Sequence, residues 1–170
     1  MYEDVNTADK MIANLSAMLR TTLYSSDKTD YTLKEELDFL NLYIDIMKSR
    51  FNDKLEINFS IDESSCKGLV PHFLLQPLVE NSIKYGMENL SGVTIDIETT
   101  KNDGRLILKI KDNGPGINYS RSEVLSKGVG ISNTIERLEK TFNDDFTFSW
   151  NNLESGVVFT INIPFRAGDN

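Results

Sequence analysis

Asn81, in Glu80-Asn81-Ser82-Ile83-Lys84-Tyr85-Gly86, offers a hard, neutral side-chain oxygen of the kind Mg²⁺ accepts beside phosphate oxygens and water. Lys84 follows three residues later on the same helical face and can meet a phosphate as a point charge. Tyr85 supplies a ring on which a base can stack. The same stretch also reads as a solvated helix end with Gly86 as its C′ residue. A second stretch, Lys111-Asp112-Asn113-Gly114-Pro115-Gly116, follows a run of alternating hydrophobics. Asp-Asn-Gly in that place is first a turn signal, yet no strand comes next; a polar loop from Pro115 to Lys127 does. A fixed carboxylate at a strand end can take a hydrogen bond from the exocyclic amino group of adenine. Guanine, presenting a carbonyl there, leaves it unpaired, a mismatch on the order of 1–3 kcal/mol. Glycines beside it let backbone approach a flat ring. The third stretch, Gly128-Val129-Gly130-Ile131-Ser132-Asn133, opens a helical pattern, where amide protons and the helix dipole favour an anion. Its Gly-x-Gly-x-x-Asn spacing is not a dinucleotide fingerprint, and the chain has no Gly-Lys-Ser/Thr of a P-loop.

These residues need elements to hold them. Ala8, Met11, Ile12, Leu15, Met18, Leu19 and Leu23 recur at helical steps, followed by a polar break over Ser25 to Asp30. Thr32 and Glu35 form a capping-box signature for a second helix whose apolar side carries Leu33, Leu37, Leu40, Ile44, Met47 and Phe51. The two make a helical hairpin whose apolar seam either packs on the rest of the domain or dimerises. Leu55, Ile57, Phe59 and Ile61 alternate as a half-buried strand. Leu74, Leu75, Leu78, Val79 and Ile83 return to helical spacing, with Pro77 in the first turn or at a bend. Val93–Thr99 and Arg105–Lys111 read as a hairpin joined by Lys101-Asn102-Asp103-Gly104. Ile131, Ile135, Leu138 and Phe142 mark a third helical face. Phe146–Trp150 and Val157–Ile163 form a second hairpin, ended by Pro164. Helices and strands mix without strict alternation, which points to an α+β, two-layer sandwich: one mixed sheet with helices on one face, preceded by the helical hairpin.

Composition narrows the chemistry further. Hydrophobic residues at 39% and charged residues at 26% fit a folded domain rather than a disordered chain. A formal net charge of −8 speaks against coating a nucleic-acid backbone. One cysteine, Cys66, rules out an internal disulfide, and one histidine, His72, rules out a site built on several imidazoles. No run reaches the roughly 20 apolar residues of a membrane helix, and the start Met-Tyr-Glu-Asp does not look like a secretion signal.

Together the three stretches, in the order metal ligand, base reader and phosphate cradle, resemble the Bergerat-type ATP-binding domain shared by sensor histidine kinases, Hsp90-type chaperones and type II topoisomerases. The resemblance covers Val70 to Pro164. It implies Asn81 as the Mg²⁺ ligand, Asp112 as the adenine reader, Gly114 and Gly116 as the first glycine box, and Gly128 and Gly130 as the second. Lys84 and Tyr85 match the kinase branch, against phosphate and base, and Thr160 falls where members often place a threonine near adenine. The motifs Leu75-Gln76-Pro77-Leu78-Val79-Glu80-Asn81, Arg137-Leu138, Leu15-Ser16 with Leu19-Arg20, and Tyr43-Ile44 followed by Arg50-Phe51 are similar to the LytS/YehU-type sensor histidine kinases over nearly the whole chain. That second resemblance implies a helical segment over 1–52, part of a dimerising and phospho-accepting region, ahead of an ATP-binding catalytic domain over 53–170. It implies ATP and Mg²⁺ as cofactors, a homodimer, a response-regulator partner and a membrane anchor in the full-length protein, with this part cytoplasmic, touching neither nucleic acid nor membrane.

The family's phospho-accepting histidine belongs to a His-Phe-Leu-Phe-Asn motif upstream of the first helical stripe, so autophosphorylation of this stretch alone is not expected. His72-Phe73-Leu74-Leu75-Gln76 imitates that motif only nine residues before Asn81, and we read His72 as a structural or surface histidine. Asn81, Lys84 and Glu80 are the candidate catalytic residues, Glu80 as a hydrogen-bond partner of the incoming imidazole. Hydrolytic relatives carry a glutamate where Pro77 stands. An anti-sigma-type serine kinase shares the ATP boxes but not the Leu-Gln-Pro-Leu-Val-Glu-Asn context. A catalytically silent ATP-binding module and a purely structural dimer are two further rivals.

Overall fold

The computed structural model describes residues 30–119, 122–124 and 129–168, with the short helical pieces 12–14, 16 and 19–20. Most of the expected first helix, and therefore the helical hairpin, lies outside the described residues.

Helix α1 (Leu33–Phe51) starts where the sequence places it. Thr32 Oγ1 accepts the Glu35 amide, and the Glu35 carboxylate takes the Thr32 amide at 2.7 Å, so two orphan donors are satisfied reciprocally. The next two amides, of Leu33 and Lys34, donate to the carbonyls of Gly68 and Cys66. That contact brings β1 (Asp30–Thr32) antiparallel to β3 (Leu69–Pro71), a two-stranded pairing no periodicity announces because each strand has three residues. Asn52, at φ 50, ends α1. The buried side chains Leu33, Leu37, Leu40 and Ile44 form its inner stripe.

The main sheet is built from β2 (Leu55–Ile61), β4 (Val93–Asn102), β5 (Arg105–Asp112), β6 (Thr147–Asn152) and β7 (Val157–Pro164), in the order β2-β4-β5-β7-β6. Only β2 and β4 run parallel; every other neighbour is antiparallel. Asp103 and Gly104, at φ 47 and 74, turn β4 into β5 as a two-residue loop with both central residues left-handed, the geometry that follows strand twist. Alternate residues Ile95, Ile97, Leu106, Leu108, Ile110, Ile161 and Ile163 face the helices and are buried. Their neighbours Glu98, Lys109 and Lys111 are exposed on the opposite face. The helical layer consists of α1, α2 (Gln76–Asn89) and α3 (Val129–Phe142), so the mixed sheet carries its helices on one face as expected.

The stripe of α1 shares one core with the sheet and with Leu74, Leu78, Ile83 and Leu138. The apolar stripe of α1 therefore packs into the interior of the α+β sandwich, while most of the first helix of that seam lies outside the described residues. No helix among the described residues is long and apolar enough to cross a membrane. Leu40 is fully buried at this junction, so Leu40→Ala is expected to cost roughly 2–5 kcal/mol in urea unfolding of the whole domain. A β-sheet unfolding midpoint unmoved by that substitution would show that α1 does not contribute to the common core.

Candidate functional site

A cavity of about 410 Å³ opens between α2, the loop after β5 and the first residues of β7, within the size range of small-molecule sites. Helix α2 turns Asn81, Ser82, Tyr85, Gly86 and Asn89 towards it, the spacing of one helical face. The helix runs on through Gly86 to Asn89, so Gly86 is an interior residue and not the C′ residue. The reason is packing: a Cβ there would collide with the Val93 side chain. Pro77 sits in the first turn, where its missing amide proton costs nothing.

Asp112 ends β5 and is 5% exposed. Its Oδ2 accepts the Ser82 hydroxyl at 2.6 Å and its Oδ1 accepts the Gly114 amide at 2.9 Å. An ionised carboxylate has about four acceptor positions, so capacity remains for a ligand donor. The glycines around it are close-packed. A Cβ on Gly114 would lie 3.0 Å from Asp112 Oδ1, and Gly156, at φ 92, lies against the Asp112 carbonyl with no room for a side chain. Gly116 is left-handed at φ 73 and faces Asn152. Asn152 holds Ile117 from both sides, accepting its amide at 2.8 Å and donating to its carbonyl at 2.9 Å. Asn113 serves the sheet instead, exchanging hydrogen bonds with the Thr94 backbone and so continuing the ladder.

The residues singled out from the sequence are distributed as follows. Asn81, Tyr85, Asp112, Gly114 and Gly116 line the one cavity. Gly130 adjoins it from α3: a Cβ there would meet Asn81 Nδ2 at 3.2 Å and Pro77 at 3.4 Å. Gly128 lies outside the described residues. Lys84 is exposed with its ammonium 5.2 Å from the Tyr85 ring, beside the cavity and not in its lining. Glu80 turns the other way, its Oε1 accepting from the Gln76 side-chain Nε2 at 2.7 Å. It faces α1, where burial and then the Glu80 charge push the Tyr43 hydroxyl up to about 12, against the pull of Arg50. Thr160 is a correction. Val157 and Phe159 of β7 line the cavity, so the period of two sends Thr160 to the outer face of the sheet. Sequence reasoning does not single out Ser82, Gly156, Asn152 or Phe159, and only Gly156, in a tight loop before a strand, carries a local signal.

The start of α2 is set from afar. Leu75, its N-cap, offers no side-chain oxygen. Instead the buried Glu36 of α1 accepts the Phe73 and Leu75 amides, both at 3.0 Å. From α3, one nitrogen of Arg137, Nη1, donates to the carbonyls of His72 at 3.0 Å and Phe73 at 2.8 Å. His72 itself stacks on Tyr31 at 4.2 Å, edges Phe39, and puts Nδ1 3.8 Å from Glu36. It lies at the end of α2 away from the cavity and lines a separate cleft beside Arg137.

A mixed sheet with helices on one face, and a glycine-walled cavity over a buried carboxylate at its edge, define an α+β sandwich built to hold one small ligand. Residues 68–167 match the family model described as histidine kinase-, DNA gyrase B-, and HSP90-like ATPase, and residues 1–55 match the model described as histidine kinase. The chain belongs to this ATPase family, in its sensor-histidine-kinase branch. It is 32% identical over 160 residues to the sensor histidine kinase YesM of Bacillus subtilis, covering 92% of this chain and 28% of that protein. The sensor protein LytS of Bacillus cereus is 29% identical over 98% of this chain and 30% of its own length. The chain thus spans less than a third of these relatives. Among solved structures, the catalytic domain of histidine kinase ThkA superposes with a TM-score of 0.64 at 19% identity, over 82% of this chain and 98% of that one. ThkA in complex with the response regulator protein TrrA gives 0.63 at 19% identity, over 97% of this chain and 51% of that one. At such identities the likeness is one of fold.

Burial raises the Glu36 carboxyl to about 6, while the amides of Leu75, Phe73 and Leu74, and the Arg137 charge, pull it down. The folded state therefore favours the protonated acid. Stabilisation from this group is complete below its ordinary range near 4.5 and is lost as pH rises through about 6, a change on the order of 2 kcal/mol. Urea unfolding of wild type and Glu36→Gln is expected to show a stability difference that moves against wild type by about that amount from about pH 4 to about pH 8. A difference independent of pH would mean that burial does not perturb Glu36.

Proposed function

We propose that this chain is the ATP-binding catalytic part of a two-component sensor histidine kinase, which directs the γ-phosphoryl group of ATP to a histidine of the upstream helical region for relay to a response regulator. The observation that carries this reading is the buried Asp112. Its two oxygens are fixed by Ser82 and Gly114, and it stands in a cavity whose other end holds Asn81 against Gly130. The residues present fit Mg-ATP: one acceptor-only carboxylate for the adenine amino group, glycines where a Cβ would intrude, an aromatic Tyr85 at the wall, and one hard amide oxygen.

In this reading Asp112 selects adenine, because its spare acceptor capacity matches an amino group and repels a carbonyl. Tyr85 stacks on the base, and the closely packed Gly114 and Gly116 admit it. Asn81 holds Mg²⁺ together with phosphate oxygens and water, and the backbone around Gly128 and Gly130 receives the phosphates at the start of α3. Lys84, exposed beside the cavity, meets the phosphate charge from the solvent side. When bound, the metal neutralises charge on the phosphoryl group being transferred. Glu80 is read as the hydrogen-bond partner of an imidazole arriving from the helical region, for which it would give up its bond to the Gln76 side chain. A neutral imidazole is already nucleophilic near pH 7 and needs no strong base.

The full-length protein is proposed to be a membrane-anchored homodimer with this part in the cytoplasm, facing a response-regulator receiver domain. Support comes from the chain's small share of relatives named as sensor proteins, the match of 1–55 to the histidine kinase model, and the exposed Ile12 and Leu19. Calorimetric titration is expected to show Mg-ADP binding, with Asp112→Asn weakening it roughly tenfold or more, the cost of a buried hydrogen bond to a charged group. Incubation with γ-labelled ATP is expected to leave the chain, His72 included, unlabelled. Wild-type protein that ignores the nucleotide, or an Asp112→Asn variant of unchanged affinity, would overturn the assignment.

A further inference from the structure

Phe73 is an aromatic residue held at φ 55, a left-handed conformation that L side chains adopt only when their surroundings impose it. The surroundings here are identifiable. Its amide donates to Glu36 on α1 and its carbonyl accepts from Arg137 on α3. Its ring packs edge-on against Phe39 at 4.9 Å. The turn of residues 72–75 is thus gripped from two sides by opposite charges on two different helices, and α2 begins at its end.

The other end of the same pair of helices is the cavity. Gly130 touches Asn81 and Pro77, whereas Arg137 touches residues 72 and 73, so α2 and α3 lie antiparallel. The seven residues from Gly130 to Arg137 span about 10 Å of helix. Further along, α2 has a second anchor, the hydrogen bond from Ser82 to Asp112, and a third, Gly86 against Val93. Between the turn and Ser82, α2 is held by the apolar packing of Leu78 and Val79, and the Gln76–Glu80 side-chain bond stays within the helix.

Resting on the nucleotide reading above, we infer that Glu36 and Arg137 are positioning residues for the metal end of the site: by holding the 72–75 turn they set Asn81 against Gly130, while Ser82–Asp112 fixes the adenine end without them. Arg137-Leu138, which the cavity itself does not use, gains a purpose in this way. Loss of the grip lets the 72–75 turn shift and changes how Asn81 meets Gly130, while the buried Leu78 and Val79 keep the helix docked and Ser82–Asp112 keeps the base pocket in place. The effect belongs to the class in which removing a partner of a metal ligand lowers metal affinity without touching the ligand itself.

The test is ADP titration with and without Mg²⁺ on wild type, Arg137→Ala, Glu36→Gln and Arg137→Lys, together with the NMR signal of the Asn81 side-chain amide in nucleotide-free protein. Arg137→Ala and Glu36→Gln are expected to lose roughly tenfold of the affinity that Mg²⁺ adds, to keep Mg²⁺-free ADP affinity within about twofold, and to shift the Asn81 signal. Arg137→Lys is the variant chosen to stay folded, and its single ammonium can serve both carbonyls as Nη1 does. It is expected to retain most of the magnesium effect. Equal losses with and without Mg²⁺, or unchanged affinities with an unmoved Asn81 signal, would overturn the inference. If wild type binds no nucleotide at all, the functional reading fails, and the Asn81 signal alone then decides whether the grip positions that residue.

Discussion

A helix that begins in a protein's interior must find acceptors for the amides at its start, and the turn leading into α2 is largely buried. Leu74 and Leu75 are fully buried, and the N-cap has no side-chain oxygen of its own. Each amide left unpaired there would cost about 1–3 kcal/mol. Glu36 meets that demand from a helix almost forty residues earlier, at 3.0 Å to each of two amides, and so makes the docking of α1 a condition for α2. The carboxylate also suits the helix N-terminus electrostatically. Its burial carries a cost of its own, visible in the raised carboxyl. Arg137 offsets part of that cost and closes the arrangement through the carbonyls of the same turn. Three helices are thereby fixed to one another before the cavity is considered.

At the cavity the same logic recurs with a different outcome. Asp112 is also a nearly buried carboxylate, but among the described residues it receives one hydroxyl and one amide. Glu36 is spent on backbone; Asp112 retains acceptor positions facing a space. A Cβ on Gly114 would press on the Asp112 carboxylate, one on Gly116 would meet Asn152, and one on Gly156 would strike the Asp112 backbone. The contrast between two buried acids, one consumed by structure and one left available, separates scaffold from site in this domain.

Features written in adjacent residues were readable from the sequence. The Thr32–Glu35 capping box, the Asp103-Gly104 turn, Pro77 in a first turn, and Asp112 at a strand end all depend on local chemistry, and the structure has them where the patterns place them. What escaped depends on distance or on phase. The β1–β3 pairing joins two three-residue strands about forty positions apart. Glu36 reads as one more polar residue in a helix until the turn it caps is seen across the fold. Thr160 was placed by resemblance at the cavity, one residue out of phase with Val157 and Phe159, and in a strand one residue is the difference between the two faces. Gly86 looks like a helix terminus because glycine so often is one; Val93, seven residues later and on a strand, decides otherwise.

Among the described residues α1 supplies none of the cavity lining, yet its residues lie within the stretch that matches the histidine kinase model. Among the described residues, the contacts that α1 makes are a route by which movement upstream can reach the site. Two of them reach α2: Glu36 at the turn where the helix starts, and Tyr43 beside Glu80, adjacent in sequence to Asn81. The apolar stripe around them, with Leu33 and Leu40 fully buried, leaves α1 little freedom to slide without carrying α2 along. Close-packed interiors transmit displacement rather than absorb it. A rotation of α1 about its own axis would swing Glu36 and the Leu37–Ile44 stripe together, so the turn and the core would register the same movement.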